Sequence, residues 1–575
     1  MSSFVQSRKL LIVILLLASL LRLWRLDRVP VSLFTDELDV GYQAYSILKT
    51  GKDYFGNPWP LHFQSYVEYR APLYIYSTVP SVAVFGITPY GVRLPAAIFG
   101  ILGVLMLYFL VKEIDKSETL ALTSAFLMAL SPWHIHYSRA GFEVSELLFL
   151  ILGAIYFFLK SIKKPKFLWV SALLLGLAPW TYSTAKLFAP ALIIFLAFVW
   201  SKDLVKFPRK HLIRVVLVLL VLILPLIYVV VFGGGAYRFK NISVLGDQST
   251  ISEISLARLS DAQVRNTYNG GIVPKIASRI VNNKFVVWTS KISTNYLESF
   301  STQFLFLKGD ISSRHSVVGV GQFYKLDAIF LVLGIILFFK SKLDGGAESK
   351  KNKAVISFWV IFGAVPSSLT IEGGGHATRL ILILPPLIFL ISFGLVETVN
   401  FIKNRFYKKI FILSYAVLLL ISLFFYQYNY WVRYPWYSEK SWYAGYKEAI
   451  EAVKEYENQY DKIVITNAEE RPYIFLASYY PYDPNVWQRG FGEGYVAGFG
   501  DLKKVGKFYF GQVEGKIGMD KLSLVMDEDT LYIASKREIA PNLISEPSRV
   551  PAGLHLVRVI TLPSGEPAFY LLEKK

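Results

Sequence analysis

Long apolar runs constrain this chain more than any other feature of its sequence. They begin near residue 10, recur as far as residue 427, and are separated by short polar segments. An apolar run of roughly 17–25 residues is the length that an α-helix needs to cross a bilayer. A hydrophobic content of 54% over 575 residues is also rare in soluble proteins of this size. The sequence therefore predicts a polytopic α-helical membrane protein.

The Lys and Arg residues predict how the chain is oriented. The net charge is +19, and the basic residues concentrate in alternate loops, as the positive-inside rule requires of cytoplasmic loops. This pattern explains the charge without a nucleic-acid partner. We expect an uncleaved anchor, a cytoplasmic N-terminus and a location in the plasma membrane. About eleven spans are expected, near 10–26, 91–111, 119–132, 143–160, 167–181, 186–200, 212–232, 326–340, 355–371, 379–400 and 409–427.

The apolar segment 72–88 is interpreted as a juxtamembrane helix and not as a span. It is short and contains two prolines. If it crossed the membrane, the basic cluster Lys163, Lys164 and Lys166 would lie outside, against the positive-inside rule. If the segment lies along the interface, every basic loop lies inside.

Three long segments are then expected on the outer face. The first is 27–90, and the second is 233–325, with helix-like stretches near 251–265 and 274–300. In the tail, 430–575, apolar runs shorten and turn residues appear, which is typical of a water-facing α/β domain. We expect a transmembrane domain over 1–429 and an extracytoplasmic α/β domain over 430–575. Helices are predicted near 442–460 and 471–480, and strands near 461–466, 507–512, 530–535, 554–562 and 568–573.

The first outer segment carries the most informative polar residues. Asp36 and Glu37 follow the first span closely, and the same loop continues through Glu68 and Arg70. Carboxylates near a bilayer are costly to keep without a purpose. An Asp there can accept a proton from an attacking hydroxyl. The pair could also cap the helix that starts at this point.

Cations in the outer turns predict an anionic partner. Guanidinium groups bind phosphate oxygens in pairs and ammonium groups bind them as point charges, so a lipid phosphate fits this face. Candidates for phosphate binding are Arg70, Arg139, Lys186, His376 and Arg379, and candidates for a substrate pocket are Tyr69, His134, His136 and Glu143. Lys186 could instead snorkel to the interface, and Arg139 could contact headgroups nonspecifically. We expect no metal site, because the Asp-Glu pair lacks an assured third ligand.

Several short motifs together resemble the GT-C superfamily of glycosyltransferases, in the branch of protein O-mannosyltransferases and lipid A aminoarabinose transferases. The motifs are the Asp36-Glu37 pair, Tyr-Arg-Ala-Pro-Leu-Tyr from residue 69, TPYGVRLPAAIFGILGVLMLYFL, SPWHIHYSRAGFE and HATRLILILPPLIFL. The resemblance covers about residues 8–430 and implies a GT-C-like fold. By resemblance, Asp36 matches the catalytic base and Glu37 its catalytic neighbour. Many relatives have Lys-Pro or Pro-Pro where this chain has Ala71-Pro72, so Arg70 is the candidate replacement for their phosphate-binding Lys.

The resemblance implies an inverting glycosyltransferase. It would move a hexose or pentose from a polyprenyl-phosphate carrier to an acceptor hydroxyl on the outer membrane face. The acceptor stays open between a protein, a glycolipid and a wall polymer. No cofactor is expected to be required, and a divalent cation stays open because some members of the superfamily use one and others do not.

Two alternatives come from other classes. O-antigen-type ligases and polymerases also have about a dozen spans, but they lack the early Asp-Glu loop. Transporters usually show repeated halves and polar residues at mid-membrane. Here the apolar runs carry few charges, and the polar residues gather at one predicted face.

Overall fold

A computed structural model describes residues 2–65, 69–233, 237–267, 275–341, 343, 348–494, 502–512 and 522–575. Glu68, which belongs to the segment 27–90, lies outside the described residues. The chain forms two compact units. The first unit comprises Met1–Ala18, Gly100–His136 and Val144–Phe424, and the second comprises Ser19–Phe99, Tyr137–Glu143 and Phe425–Lys575. The division into domains at residue 429 stays a prediction.

The described residues are mostly helical. The α-helices are Ser2–Leu23, Thr35–Thr50, Leu73–Phe85, Pro89–Asp115, Glu118–Leu130, Pro132–Tyr137, Val144–Lys163, Leu168–Leu177, Ala185–Val199, Ser201–Leu204, Arg209–Phe232, Tyr237–Ile242, Ser249–Thr267, Lys275–Val281, Lys284–Glu298, Asp327–Lys340, Ser349–Gly363, Val365–Ser368, Leu384–Phe401, Arg405–Tyr428, Tyr434–Ser438, Tyr446–Tyr456, Tyr473–Tyr479, Pro484–Gly494 and Leu522–Val525. Short 3-10 helices are Pro165–Phe167, Ala178–Trp180, Val244–Gly246, Ile381–Ile383, Glu457–Gln459 and Pro547–Arg549, and π-helical turns are Gln303–Leu307 and Asn429–Arg433.

Helices overlap every predicted span. Within the described residues, five helices are long and apolar enough to cross a membrane. They are Pro89–Asp115, Val144–Lys163, Arg209–Phe232, Ile381–Phe401 and Arg405–Ser438. Shorter apolar helices are Leu73–Phe85, Glu118–Leu130, Pro165–Trp180 and Ala185–Val199. The chain is thus a multi-pass membrane protein, and the count of about eleven spans stays a prediction. The single helix predicted over 274–300 is divided into two helices, Lys275–Val281 and Lys284–Glu298. The Asn283 side chain accepts a hydrogen bond from Val286 N and so caps the start of the second helix.

Close helix packing in the first unit depends on glycine. Helix Asp327–Lys340 packs against helix Leu384–Phe401, and Gly334 and Gly394 face each other at their crossing. A Cβ on Gly334 would lie 2.0 Å from the Leu390 carbonyl oxygen, and one on Gly394 would lie 2.1 Å from the Phe330 carbonyl oxygen. Small residues of this kind let helix backbones approach closely inside a membrane.

The second unit contains all the strands among the described residues. They are β1 Phe63–Gln64, β2 Tyr69–Arg70, β3 Lys462–Ile465, β4 Lys504–Val505, β5 Phe508–Phe510, β6 Thr530–Ser535, β7 Leu554–Thr561 and β8 Pro567–Lys574. β1 and β2 form an antiparallel ribbon, and the other six form a mixed sheet in the order β4-β5-β3-β6-β8-β7. β3 runs parallel to both β5 and β6, whereas β7 and β8 form a hairpin. All five strands predicted in the tail are confirmed. β4 and helix Pro484–Gly494 were not predicted.

One hydrophobic core joins the segment 27–90 to the tail within this unit. It includes Tyr42, Ile47 and Tyr74 from the first segment together with Phe475 and Trp487 from the tail. Polar contacts follow the same interface. The Tyr42 hydroxyl donates to the Tyr482 carbonyl at 3.0 Å, and Gln488 Nε2 donates to the Asp53 carbonyl at 3.0 Å. Helix Thr35–Thr50 is therefore held on several sides by the tail and by its own loop.

Candidate functional site

Helix Thr35–Thr50 carries the site, and its first turn is fixed by its own sequence. Phe34 precedes it in an extended conformation, and Glu37 Oε2 accepts a hydrogen bond from the Phe34 backbone N–H at 3.3 Å. This satisfies one of the backbone donors that a helix start leaves without a partner in the helix. The helix ends at Gly51, whose φ of +69° suits a residue without a Cβ.

Glu37 is the anchor of this turn. Its side chain is fully buried and forms a bidentate ion pair with Arg93, with Nε at 2.7 Å from Oε1 and Nη2 at 2.9 Å from Oε2. The Gly141 backbone N–H donates to Glu37 Oε1 at 2.7 Å. Arg93 is also fully buried and donates to the carbonyls of Leu26, Pro30 and Ser32. A buried pair is stable only with such complete hydrogen bonding.

Arg139 is buried beside this anchor and contacts protein groups on many sides. Its guanidinium donates to the carbonyls of Leu21, Arg22, Trp24, Arg25 and Val29 at 2.9–3.2 Å and to the Tyr430 hydroxyl at 3.2 Å. It also lies 4.7 Å from the ring centre of Trp431. Several of these carbonyls belong to the end of helix Ser2–Leu23, where cations are stabilising. The geometry favours a structural role over the phosphate-binding role expected from the sequence.

Asp36 differs from its neighbour in exposure and partner. Its side chain is 45% exposed, and Oδ1 accepts a hydrogen bond from Arg70 Nη2 at 2.6 Å. The Arg70 side chain is buried, and its Nε lies 2.5 Å from Oδ2 of buried Asp39. The Tyr54 hydroxyl donates to the other Asp39 oxygen at 2.7 Å. The structure thus brings predicted Asp36 and Arg70 together and adds Asp39 and Tyr54 to them.

The short ribbon β1–β2 positions Arg70. Phe63 pairs with Arg70 and Gln64 with Tyr69. The Gln43 side chain ties this ribbon to the helix by donating to the Gln64 carbonyl at 2.8 Å. Tyr69 is half-buried and stacks on His62 with ring centres 5.0 Å apart. Arg70 therefore approaches the helix from a separate element that hydrogen bonds hold in register.

Burial changes the protonation of Asp39. Loss of solvent raises the pKa of this carboxyl to about 6, although the charge of Arg70 and the Tyr54 hydroxyl act in the opposite direction. The same burial, together with the Asp39 charge, raises the pKa of Tyr54 well above its ordinary value. Asp39 can therefore change charge close to neutral pH, and that change alters the charge balance around Arg70.

A signal for Asp39 was present in the sequence. Asp36 and Asp39 are three residues apart, and that spacing places two side chains on the same face of a helix. A helix starting at Thr35 would therefore have predicted a carboxylate pair over one face. Tyr54 gave no comparable signal, because its approach depends on the turn that follows the helix.

The first unit holds the other predicted residues except Glu143. His134 and His136 lie in helix Pro132–Tyr137 and are buried, and His136 Nε2 lies 2.8 Å from the Arg314 carbonyl oxygen. Lys186 is half-buried in the second residue of its helix. Arg379 Nη1 donates to the Thr370 hydroxyl at 2.7 Å and to the Ile371 carbonyl at 2.9 Å. Glu143, at the edge of the second unit, is half-buried. The roles predicted for these residues stay predictions.

His376 has partners that the sequence did not indicate. In the described part of the chain, Asp310, His315 and His376 form one group whose ligating atoms all lie within 4.8 Å of one another. The His315 Nδ1 lies 3.3 Å from Asp310 Oδ2, and the two imidazole rings stack with centres 4.6 Å apart. These side chains are of the types that hold metal ions. The sequence did not predict any of these three side chains as a metal ligand.

The anchor can be tested by removing one of its partners. Glu37→Ala leaves the Arg93 guanidinium buried without its carboxylate, and breaking such a pair costs about 3–5 kcal/mol. We expect a clear loss of free energy of unfolding, measured as a lowered thermal midpoint in detergent. Glu451→Ala is the control, since Glu451 is 54% exposed and pairs with Lys447 at 3.7 Å. Its loss should stay below about 1 kcal/mol. Equal losses in both variants would contradict the anchor.

A family match covers part of the chain. Residues 69–228 match the model of the family described as Dolichyl-phosphate-mannose-protein mannosyltransferase. YkcB of Bacillus subtilis (strain 168), described as a candidate mannosyltransferase, is 33% identical over 92 residues, which are 16% of this chain and 13% of that protein. The matched stretch therefore spans a small part of the relative's length.

Solved structures show more distant likenesses. ArnT from Cupriavidus metallidurans, bound to undecaprenyl phosphate, is 13% identical with a TM-score of 0.49, covering 99% of this chain and 98% of its own. An Archaeoglobus fulgidus oligosaccharyltransferase, in complex with Zn and sulfate, is 14% identical with a TM-score of 0.47, covering 82% of this chain and 61% of its own. This chain thus spans about three fifths of the archaeal enzyme, and likenesses this distant carry no argument about substrates. Over residues 69–228, however, the resemblance to the protein mannosyltransferases is confirmed.

Proposed function

We propose that this protein is a membrane glycosyltransferase that transfers a sugar from a polyprenyl-phosphate carrier to an acceptor hydroxyl, with Asp36 as the general base. The family match over residues 69–228 supports the reaction class. The observation that carries the assignment of the base is the contrast within one helix turn. Asp36 is half-exposed and paired with Arg70, whereas Glu37 is fully buried in its pair with Arg93.

The proposed reaction needs one proton acceptor. The acceptor oxygen attacks the anomeric carbon of the sugar, and the bond from that carbon to the phosphate oxygen breaks. The phosphate leaves with the electron pair, and the hydroxyl proton moves to the Asp36 carboxylate. Such a positioned base contributes roughly 10²–10⁴-fold in rate. Because attack comes from the face opposite the phosphate, the anomeric configuration inverts.

Asp39 and Arg70 would tune this base. Arg70 stabilises a carboxylate at Asp36 by its charge, and Asp39 shares that charge because its Oδ2 lies 2.5 Å from Arg70 Nε. A base held too strongly by a cation accepts a proton less readily. The buried Asp39 therefore keeps Asp36 more basic while it is ionised. With two carboxylates beside it, Arg70 serves better as an organiser of the base than as a lone phosphate ligand.

Glu37 fits a positioning role and not a direct catalytic one. Its two oxygens accept from Arg93, Gly141 and Phe34, and its side chain is fully buried. These contacts fix the first helix turn and thus the direction of the adjacent Asp36 side chain. The phosphate-binding roles of Lys186, His376 and Arg379 remain part of the proposal on the strength of their residue types alone.

The setting of the reaction also belongs to the proposal. The positive-inside pattern supports an outer-face reaction at the plasma membrane with about eleven spans and an extracytoplasmic α/β domain over 430–575. The tail shares one hydrophobic core with helix Thr35–Thr50. That packing supports a role for the tail in holding the catalytic loop and in selecting the acceptor, which would be a protein, a glycolipid or a wall polymer.

Asp36→Asn tests the base directly. In lipid discs, purified protein is offered a panel of polyprenyl-phosphate sugars with labelled sugar and a membrane extract as acceptor source. We expect wild type to consume at least one donor, and Asp36→Asn to bind that donor but transfer about 10²–10⁴-fold more slowly. Asp27→Asn is the matched control, because Asp27 is 43% exposed in the same unit and pairs with Arg28. It should keep wild-type activity.

Two results would contradict the proposal. Full activity of Asp36→Asn would exclude Asp36 as the base. Consumption of no donor by wild type would favour a ligase that uses a different carrier linkage, or a transporter, and uptake of solute into vesicles would separate these two.

The pH dependence tests the part assigned to Asp39. As pH falls through about 6, Asp39 takes up a proton and its negative charge beside Arg70 is lost. Arg70 then acts on Asp36 alone and weakens it as a base. We expect the transfer rate of wild type to decrease below about pH 6, in a step that Asp39→Asn lacks. Asp27→Asn should retain the step. The same step in Asp39→Asn would show that another group is responsible.

A further inference from the structure

Two separate loops of the first unit bring Asp310, His315 and His376 together. Asp310 and His315 belong to the segment before helix Asp327–Lys340, and His376 lies in the turn before the 3-10 helix Ile381–Ile383. The Asp310 side chain is 8% exposed, and the two imidazoles are 20% and 21% exposed. The group is therefore recessed but reachable from solvent.

The distances within the group approach those of a metal site. His315 Nδ1 lies 3.3 Å and His376 Nδ1 lies 4.0 Å from the same oxygen, Asp310 Oδ2. Two ligands at about 2.0–2.1 Å from a tetrahedral Zn²⁺ are about 3.3–3.4 Å apart. The His315 separation already has this value, and the His376 separation needs to close by about 0.6 Å.

The three side chains can hold a divalent ion without bringing two positive imidazoles together. If both imidazoles were protonated, two positive charges would stack with ring centres only 4.6 Å apart. A single divalent ion removes this repulsion, because it binds both rings in their neutral form and keeps the carboxylate ionised. Imidazole nitrogens select ions of the zinc class, whereas Mg²⁺ and Ca²⁺ prefer sites made of oxygen atoms.

Backbone groups orient the carboxylate toward the imidazoles. The Ala377 N–H donates to Asp310 Oδ2 at 2.8 Å, and the Ser312 N–H donates to Oδ1 at 2.8 Å. Because Ala377 follows His376 directly, the first bond ties the two loops together at the ligating residues. Hydrogen bonds that hold a ligand in position are a regular part of metal sites and raise their affinity.

We propose that Asp310, His315 and His376 form a binding site for a divalent ion of the zinc class. Two imidazoles and one carboxylate supply three ligands, and a fourth position is left for water or an anionic oxygen. This set is of the kind found where a zinc ion also binds an exogenous ligand. The site does not include Asp36 and shares only His376 with the residues proposed to bind the carrier phosphate. Its metal binding holds whether or not the proposed transfer reaction does.

Metal binding is measured without turnover. Full-length protein in detergent is treated with EDTA, dialysed against excess Zn²⁺, freed of unbound ion, and its bound metal is measured by mass spectrometry. We expect one equivalent of Zn²⁺ per wild-type chain, retained in the presence of millimolar Mg²⁺, and a rise in the thermal midpoint on addition of Zn²⁺. Co²⁺ in the same site should show the visible absorption of a tetrahedral complex.

The variants separate this site from surface binding. His315→Ala with His376→Ala should lose the equivalent of Zn²⁺, and Asp310→Asn should weaken binding at least tenfold while keeping both imidazoles. His555→Ala is the matched control, because His555 is a 57% exposed histidine paired with Glu573 at 2.7 Å. It should bind as wild type does. Thermal midpoints measured without metal establish whether each variant is folded. If the double histidine variant does not fold, Asp310→Asn still tests the site. Absence of Zn²⁺ from wild type, or equal binding by Asp310→Asn, would overturn the proposal.

Discussion

The buried pair of Glu37 and Arg93 is the interaction on which the candidate site depends. Two charges with no exposed side-chain surface are costly to remove from water, and only near-complete hydrogen bonding offsets that cost. Here Glu37 accepts from Phe34 and Gly141, and Arg93 donates to three carbonyls of the chain that leads into the helix. The pair therefore connects the start of helix Thr35–Thr50, the turn before it and helix Pro89–Asp115. These connections restrict the conformation of the first helix turn.

A rigid first turn has a direct consequence for Asp36. Adjacent residues on a helix point in different directions, so fixing Glu37 inward leaves Asp36 toward solvent, where it meets Arg70. Arg70 in turn lies between an exposed and a buried carboxylate. In the proposed reaction, an exposed carboxylate beside a buried, titratable partner is an arrangement that can match a proton acceptor to neutral pH. The tail contributes at a distance, because its helices share the core that holds the far side of the same helix.

The sequence predicts the parts of this molecule that are governed by local rules. Long apolar runs predicted the membrane helices, because a span needs a minimum length of apolar residues. Short apolar runs predicted the strands of the tail. Asp36 and Arg70 were predicted by residue type and motif. Asp39 was within reach of the same reasoning, since it lies one helical turn from Asp36.

Other features depend on tertiary contacts that no local rule contains. An Arg at a membrane edge can face a phosphate or a helix end, and Arg139 contacts carbonyls at the end of helix Ser2–Leu23 and just after it. Burial of Glu37 requires Arg93 from another helix. The approach of Asp310 to His376 requires two loops to meet, so the spacing of these residues in the sequence predicts nothing about a shared site.

The most direct test of the central claim is an experimental structure with an unreactive polyprenyl-phosphonate sugar. A base lies about 2.6–3.2 Å from the hydroxyl it activates, and that oxygen lies about 3–3.5 Å from the carbon it attacks. If Asp36 is the base, the anomeric carbon lies about 5–6 Å from an Asp36 oxygen, which is on the face opposite the phosphonate. A sugar bound elsewhere, with Asp36 still closed against Arg70 and away from the anomeric carbon, would contradict it.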